Sequence, residues 1–516
     1  MNLRERFQRK PFLLGVELVT TRGLIVQEET RKTLRFGEEL AERGDVDWIS
    51  ITDNAGGNPT ISADNLGVRL KEAGAEVLIH FSAKDMNRNA LESRAWHLAS
   101  QGLNNVLVLT GDYPVAGFNG VSRPVFDLDS VSLLTMLSEL NQGLRLKGRR
   151  ADTYRSLART DFFLGAVASP FKQREEELMG QYLKLKRKIE AGARFIITQI
   201  GYDARKWDEL KHWIEANDCS VPLVGYVYLL SRGVARIFNR GMIPGVVVTD
   251  ELFGKIEEKS NGPDRGRGFC LDLAAQQIAV LKGLGYRGAY IGGITSTGQL
   301  DAIMERLEAF GPEDWRRFAR EIQYPQKKEF YFYRKDPETG LVDRRNQTPR
   351  PAVRRPFRER IAYGFSTLAH RLFFEYGTPG FRLAGRIYRF LEKHRALGRA
   401  AYFFERVVKS ALFSCRECGD CSLPDTAYLC PESQCRKRQR NGPCGGSHQG
   451  ICEVEERTCL WVRAYRRTGG GPAFEEIFRR PPVFVDDRLR ETSSWANCFL
   501  ERDNSSYRRQ GAYPQA

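Results

Sequence analysis

The chain has 516 residues, of which 41% are hydrophobic and 28% charged, and its formal net charge is +16. This composition is typical of a folded protein of two or three domains and excludes a chain that is disordered throughout. The chain contains no apolar run long enough to span a membrane, and the opening MNLRERFQRK is too charged for a signal peptide. We therefore expect a cytoplasmic protein with no membrane partner.

Charge and cysteine are unevenly distributed along the chain. Residues 1–320 carry 44 Lys and Arg against 41 Asp and Glu, a net charge of +3, whereas residues 321–516 carry 36 against 23, a net charge of +13. Eight of the eleven cysteines lie between Cys415 and Cys459. We predict a near-neutral domain over 1–320, a linker or arm over 321–355, a cysteine-rich metal-binding module over 356–470, and an extension over 471–516 with a poorly ordered end.

Eight short runs rich in β-branched and aromatic residues alternate with helical patterns in residues 1–320. In chain order the runs are PFLLGVELV, VDWISIT, EVLIHFS, NVLVLTG, FFLGAVAS, RFIITQIG, VPLVGYVYLL and YRGAYIGGI. Stretches such as TRKTLRFGEELAER, NALESRAWHLASQG and EEELMGQYLKLKRKIEAGA read as the helices between them. This order predicts a (β/α)8 barrel of α/β class. A doubly wound sheet is disfavoured because no G-x-G-x-x-G follows the first strand, and no P-loop is present.

Polar residues collect at the carboxyl ends of the predicted strands, where such barrels carry their chemistry. They are Glu17 in the first run, Thr52 and Asp53 after the second, His80 and Ser82 in the third, Thr110, Gly111 and Asp112 after the fourth, and Gln199 in the sixth. Each also has a structural interpretation, because such residues can cap helices or form satisfied core groups. Their common position on one rim favours a functional site.

Residues from about Pro11 to Phe310 contain, in order, GVELV, ISITDNAGGNP, VLIHFSAKDMNRNA, LTGDYP, LKLKRKIEAGA and FIITQIGYD. This series resembles the methylenetetrahydrofolate reductase family. The resemblance implies a flavin, FAD or FMN, at the carboxyl face of the barrel. It also implies hydride transfer from the reduced flavin to 5,10-methylenetetrahydrofolate, which yields 5-methyltetrahydrofolate, with NAD(P)H or a protein as the electron donor.

The resemblance also implies roles for single residues. Glu17 matches the family's general acid, and its apolar neighbours would raise its pKa. Asp112 matches a carboxylate that contacts the pterin and modulates the flavin, and Gln199 matches a folate-binding residue. The residues that match flavin-binding positions are Thr52, His80, Thr110, Gly111, Asp112 and Lys188.

Three departures from well-known bacterial members concern the cofactor. The segment ASPFK at 168–172 lacks a Tyr-Pro-Glu-x-His-Pro type of sequence. Gln181 stands where those members have an acidic residue near the dinucleotide, and Arg232 where they have an aromatic residue that stacks on nicotinamide. FMN in place of FAD and a donor other than NADH therefore stay open.

The cysteine module has the spacing C-x2-C-x2-C-x8-C-x4-C-x8-C-x7-C-x6-C, formed by Cys415, Cys418, Cys421, Cys430, Cys435, Cys444, Cys452 and Cys459. Disulfides are disfavoured in a cytoplasmic chain, and closely spaced thiols favour a metal. Eight thiolates suit two [4Fe–4S] clusters or two zinc sites, and His448 could replace one zinc ligand. Spacing alone does not decide between the metals.

The segments CRECGDCSLPDTAYLCPESQC, NGPCGG and CEVEERTCLW resemble the C-terminal partner module of some methylenetetrahydrofolate reductases. That resemblance implies iron–sulfur clusters, electron delivery by a partner protein, and a redox complex or homo-oligomer. A reductase-inactive subunit for electron or methyl transfer is a second hypothesis, which Glu17 and Asp112 disfavour. A zinc-dependent nucleic-acid-binding protein is a third, which the absence of a C2H2 spacing or an RNP-like aromatic motif disfavours.

Overall fold

The computed structural model describes residues 1–147, 153–350, 353 and 355–510. Backbone contacts divide the chain into two compact units. The first comprises Met1–Gln142, Arg159–Arg350 and Gly445–Gln449, and the second comprises Gly143–Ala158, Pro351–Cys444 and Gly450–Ala516. Most of the segment that the sequence assigns to a linker therefore clusters with the first unit. The end that the sequence predicts to be poorly ordered, ERDNSSYRRQGAYPQA, includes the helix Asn504–Gln510, and its last six residues lie outside the described range.

The first unit is a closed barrel of eight parallel strands, as the sequence predicts. Strands β1 to β8 are Leu13–Leu18, Trp48–Ile51, Val77–Ser82, Asn105–Leu109, Phe163–Ala168, Phe195–Thr198, Leu223–Tyr228 and Gly288–Gly292. Each strand pairs with its neighbour in this series, and β8 pairs with β1. Most strand residues are buried, which explains why the strands read as continuous apolar runs.

Helices connect the strands and cover the barrel. They are Glu28–Ala41, Ala63–Glu72, Arg88–Ser100, Ser130–Gln142, Glu175–Glu190, Ala204–Ala216, Arg232–Asn239, Asp250–Lys259, Arg267–Gly283, Thr297–Glu308 and Asp314–Glu321. Side-chain caps fix several helix starts; Asn87, for example, accepts a hydrogen bond from the backbone N–H of Ala90. An antiparallel hairpin, Tyr333–Lys335 with Val342–Gln347, follows the last of these helices.

The amino-terminal end of the barrel is closed by the helix Leu3–Arg9, which begins with a capping box formed by Asn2 and Glu5. Phe7 of this helix packs against Trp48, Phe163 and Phe195 inside the barrel. Glycine at position 15 makes room for this cluster, because a Cβ there would lie 2.0 Å from the Trp48 ring. One end of the barrel is thus filled with aromatic side chains, which leaves the carboxyl end for a site.

The second unit combines helices with irregular cysteine-bearing segments. Its helices are Phe357–Ala369, a π-helical turn His370–Phe374, Pro379–Lys393, Arg395–Phe413, Pro431–Gln434, Leu460–Thr468, Gly471–Arg479, Ser494–Phe499 and Asn504–Gln510. A short hairpin joins Arg145–Lys147 to Tyr154–Ser156. Trp461 packs against Phe474 and Phe478 to form a small core. Among the described residues, no helix is both long and apolar enough to cross a membrane.

Candidate active site

Glu17 lies at the carboxyl half of β1, where strand register surrounds it with polar groups. Ser50 of β2 is its neighbour in the sheet, and Tyr226 of β7 is paired with Tyr290 of β8. The Tyr226 hydroxyl donates to Glu17 Oε2 at 2.6 Å, and the Tyr290 hydroxyl donates to Glu17 Oε1 at 3.2 Å. The carboxyl group is therefore held in position by two phenols, one from β7 and one from β8.

The surroundings of Glu17 favour its protonated form. Burial raises the pKa of Glu17, and the hydrogen bonds from Tyr226 and Tyr290 lower it by a smaller amount. A carboxyl group whose pKa is raised in this way can hold a proton closer to neutral pH and donate it to a bound substrate.

His80 continues the same hydrogen-bonded chain. Its Nε2 lies 2.9 Å from Ser50 Oγ and 3.4 Å from the Tyr290 hydroxyl oxygen. Burial lowers the pKa of His80 to about 4, although the charge of Asp53 acts in the opposite direction. The imidazole is therefore neutral at physiological pH, and it offers a hydrogen bond without adding charge to the barrel mouth.

Glu17 borders an open cavity of about 820 Å³. Its walls come from the end of β1, the helix Glu28–Ala41 and the loop after β8, and they include Leu18, Lys32, Phe36, Tyr228 and Thr295. The lining combines apolar side chains with charged ones such as Glu28, Glu29 and Arg35, and the volume is large enough for a ligand with the dimensions of a folate.

Asp53 and Ser82, which also lie on the rim, have a structural role. Asp53 Oδ2 accepts hydrogen bonds from the backbone N–H and hydroxyl of Ser82 and from Arg94. Arg94, which is buried, also binds Asp64 at 2.6 Å. These contacts tie the ends of β2 and β3 to two helices, so both residues are engaged in holding the rim together.

The residues after β2 and β4 are held mainly by backbone contacts. Asp112 Oδ2 accepts a hydrogen bond of 2.8 Å from the backbone N–H of Gly56. Thr52 accepts hydrogen bonds from the backbone N–H and the hydroxyl of Thr20, and Thr110 lies buried next to Gly111. Gly111 has a φ of +87°, which favours glycine at this position.

The remaining residues that the sequence singled out make hydrogen bonds or ion pairs with groups other than Glu17. Lys188 Nζ donates to the Val167 carbonyl at 2.6 Å, and Gln199 Oε1 accepts from the backbone N–H of Ile200 at 2.9 Å. Gln181 is buried, whereas Arg232 is exposed and pairs with Glu257 at 3.0 Å. Hydrogen bonds thus connect Glu17 to His80, while Asp112, Gln199 and Lys188 have other partners.

Three residues of the network were missed by sequence reasoning. Tyr226 and Tyr290 lie in strand runs, where tyrosine reads as an ordinary β-forming residue, and Ser50 precedes the rim position. A signal was nevertheless present, because Glu17 is a carboxylate inside an apolar strand and requires hydrogen-bond donors from neighbouring strands.

The first four cysteines of the module surround one small cavity. Its lining includes Cys415, Cys418, Cys421 and Cys430. Burial raises the pKa of Cys421 to about 12, and the nearby thiols of Cys418 and Cys430 also raise it. These four residues form a group that we call centre I.

The other four cysteines influence one another in the same way, and we call them centre II. Burial raises the pKa of Cys459 to about 12, and the thiols of Cys435 and Cys452 contribute to the increase. Burial and the charge of Glu453 raise the pKa of Cys444, and the thiols of Cys459 and Cys435 add to the increase. All eight thiols are free, and no group of three or more His, Cys, Asp or Glu side chains in the described part of the chain has an arrangement suited to a metal ion.

Comparisons with known proteins identify two regions. The model of the family described as methylenetetrahydrofolate reductase matches residues 27–308, and that described as methylene-tetrahydrofolate reductase C terminal matches residues 395–479. A 5,10-methylenetetrahydrofolate reductase from Pectobacterium carotovorum subsp. carotovorum is 21% identical over 236 residues, which is 45% of this chain and 70% of the relative.

Two solved structures are similar to this chain at low sequence identity. An uncharacterized protein from Clostridium thermocellum that binds two copies of 5-methyl-5,6,7,8-tetrahydrofolic acid has a TM-score of 0.42 and 13% identity, covering 59% of this chain and 97% of that one. A thermostable aldo-keto reductase, Tm1743, has a TM-score of 0.34 and 12% identity, covering 59% and 93%. The family match over residues 27–308 spans more than half of the sequence, and the chain belongs to the methylenetetrahydrofolate reductase family.

Proposed function

We propose that the chain reduces 5,10-methylenetetrahydrofolate to 5-methyltetrahydrofolate. The observation that carries this proposal is the position of Glu17, a carboxyl group with a raised pKa that borders the 820 Å³ cavity of a barrel from this family. Reduction requires the five-membered ring of the substrate to open first, and opening requires a proton at the leaving nitrogen. Glu17 is the group we assign to supply that proton.

Other residues orient the substrate and favour the cation that forms on ring opening. The two phenols hold the Glu17 carboxyl group in one position, which reduces the entropy lost when the proton is transferred. Asp112 provides a negative charge that would stabilise a cationic substrate. Gln199 is assigned to the folate because its amide can match the donors and acceptors of a pterin ring.

A flavin would be held by Thr52, His80, Thr110, Gly111 and Lys188. The donor set suits an isoalloxazine ring, because the neutral His80 and the threonine hydroxyls are hydrogen-bonding groups without charge. The flavin, FAD or FMN, supplies the hydride when it is bound. NAD(P)H or a protein carrier would restore its electrons.

The two cysteine centres would hold metal. Each centre supplies four thiols, which is the donor set of a [4Fe–4S] cluster or a tetrahedral zinc ion, although the thiols of the described residues are not arranged around a common metal position. We favour iron–sulfur clusters that deliver electrons to the barrel, with zinc as the alternative. Anaerobic iron, zinc and flavin analysis of the purified chain separates these two assignments, because stoichiometric zinc without iron would exclude the clusters.

The variant Glu17→Gln tests the proposed chemistry. We expect it to bind folate and to retain reduction of its flavin by dithionite, but to lose folate reduction by a factor on the order of 100 to 10,000, as is typical when a general acid is removed. Glu29→Gln is the control, because Glu29 lines the same cavity, whereas the phenols of Tyr226 and Tyr290 donate to Glu17. Full activity of the Glu17 variant would exclude it as the acid.

A further inference from the structure

The helices between Phe357 and Phe413 expose apolar side chains and bury charged ones. Fifteen large hydrophobic residues in this stretch are exposed, more than half of all those found in the described residues. In the helix Arg395–Phe413, by contrast, the buried residues are Glu405 and Lys409, which pair at 3.5 Å. Apolar surface of this extent in a folded protein marks a place where something else binds.

The exposed apolar residues form stripes on the helices. In the helix Phe357–Ala369 and the turn after it, Phe357, Ile361, Phe365, Leu368 and Leu372 follow at intervals of three and four residues. At about 100° per residue, this spacing keeps all five within about 80° of one another on the helix circumference. The helix therefore presents one continuous apolar edge to solvent.

The helix Pro379–Lys393 carries an equivalent stripe of Leu383, Ile387 and Phe390. The buried residues of this helix, Phe381 and Gly385, lie on its opposite side. The stripe is thus the outermost part of the helix, and it is separate from the face that packs against the rest of the unit.

Exposed arginines run beside the apolar stripes. They include Arg382, Arg386 and Arg389 next to the second stripe, and Arg395 and Arg399 on the following helix. Among the ion pairs of the described residues, none involves any of these five side chains. Two of the few acids in the stretch are already engaged, since Glu392 binds Arg502 and Glu359 binds Arg463.

The net charge of residues 357–413 indicates which kind of partner covers the apolar stripes. Residues 357–413 contain eleven Lys and Arg against four Asp and Glu, so a second copy of the chain would bring like charges together. An outward apolar stripe flanked by unpaired arginines is the pattern of helices that lie in the interface of a bilayer, with apolar residues among the acyl chains and cations at anionic headgroups.

We propose that the helices of residues 357–413 attach this protein to the surface of a membrane that contains anionic lipids. The sequence led us to expect no membrane partner because it lacks a spanning segment, but surface attachment needs none. Residues of the first and last of these helices, among them Phe365 and Leu412, line an open cleft of about 810 Å³ that also includes Phe373, and acyl chains would cover this cleft as well.

Co-sedimentation of the full chain with lipid vesicles tests the proposal. We expect the protein to sediment with vesicles of equal parts phosphatidylcholine and phosphatidylglycerol, to remain in solution with pure phosphatidylcholine, and to be released only in part by high salt, because salt does not screen the contact between the apolar stripes and the acyl chains. Failure to sediment with the anionic vesicles, or equal sedimentation with both kinds, would overturn it.

Two variants separate this surface from general charge attraction. The triple variant Arg382→Glu, Arg386→Glu, Arg389→Glu should bind anionic vesicles on the order of 100-fold more weakly. The control Arg316→Glu, Arg317→Glu, Arg345→Glu makes the same charge change on exposed residues of the first unit and should bind like the unmodified chain. Equal losses in both variants would contradict the assignment.

Replacement of the second stripe provides a test that leaves charge unchanged. Leu383→Ser, Ile387→Ser, Phe390→Ser alters only exposed side chains, so unchanged circular dichroism will verify that the variant folds. We expect weaker vesicle binding that persists only in low salt. If these substitutions instead abolish a dimer seen by light scattering and leave vesicle binding intact, the surface is an interface between copies and the proposal is wrong.

Discussion

At the scale of residues, the hydrogen bonds of Glu17 determine the pH at which the proposed acid works. Burial and the two phenols act in opposite directions on its pKa, and the shorter bond is the one from Tyr226. An acid must be protonated to act, so activity is expected to fall as the pH rises through the pKa of Glu17. The phenols therefore set the alkaline limit of the reaction.

The variant Tyr226→Phe is expected to move that limit upward. Loss of the phenol removes a donor that stabilises the carboxylate, so the pKa of Glu17 rises, by about one unit for a typical hydrogen bond to a charged group. The measurement is the pH dependence of folate reduction. Tyr286→Phe is the matched control, since Tyr286 is a buried phenol that donates to the Trp207 carbonyl. A limit that stays in place or moves downward would contradict the role of Tyr226.

At the scale of elements, the rim of the barrel depends on a buried ion network. Arg94 on the helix Arg88–Ser100 binds Asp53 after β2 and Asp64 on the helix Ala63–Glu72, and its guanidinium lies 4.7 Å from the centre of the Phe81 ring. Loss of the cation would leave the carboxylates of Asp53 and Asp64 in a buried region without the positive charge that pairs with both.

We expect Arg94→Met to lower the free energy of unfolding by about 3–5 kcal/mol, because breaking a buried ion pair costs that much. The exposed Arg316, which pairs with Glu313, is the control, and Arg316→Met should change stability by about 1 kcal/mol or less. Denaturant unfolding of both variants gives the comparison. Similar stabilities would mean that the network does not hold the rim.

The strands and the residues at their ends could be predicted from the sequence, whereas contacts between strands could not. All eight strands were found, because a strand buried on both faces gives a continuous apolar run, and the rim residues followed from the strand ends. Tyr226 and Tyr290 were missed because their function depends on register across the β7–β8–β1 seam, which local patterns do not contain. The exposed stripes were missed because an apolar helix face usually indicates a core.

At the scale of the whole molecule, the second unit carries eight thiols in two centres, and the segments around these cysteines contain little regular secondary structure. Metal bound at the proposed centres would supply folding energy to such segments. We expect Cys418→Ser to remove about half of the bound metal, because Cys418 belongs to centre I alone. Cys270→Ser, in the first unit, should leave the metal content unchanged. Metal analysis that finds no difference between the two variants would contradict the division into centres.

The central claim is that the barrel transfers hydride between a flavin and a folate with Glu17 as the acid. The most direct measurement is the absorbance of the flavin-loaded chain after anaerobic addition of 5-methyltetrahydrofolate, the reverse of the proposed reaction. We predict that the blue absorption band of the oxidised flavin bleaches in the unmodified chain and persists in Glu17→Gln. A flavin that stays oxidised in the unmodified chain, although the folate binds, would contradict the account.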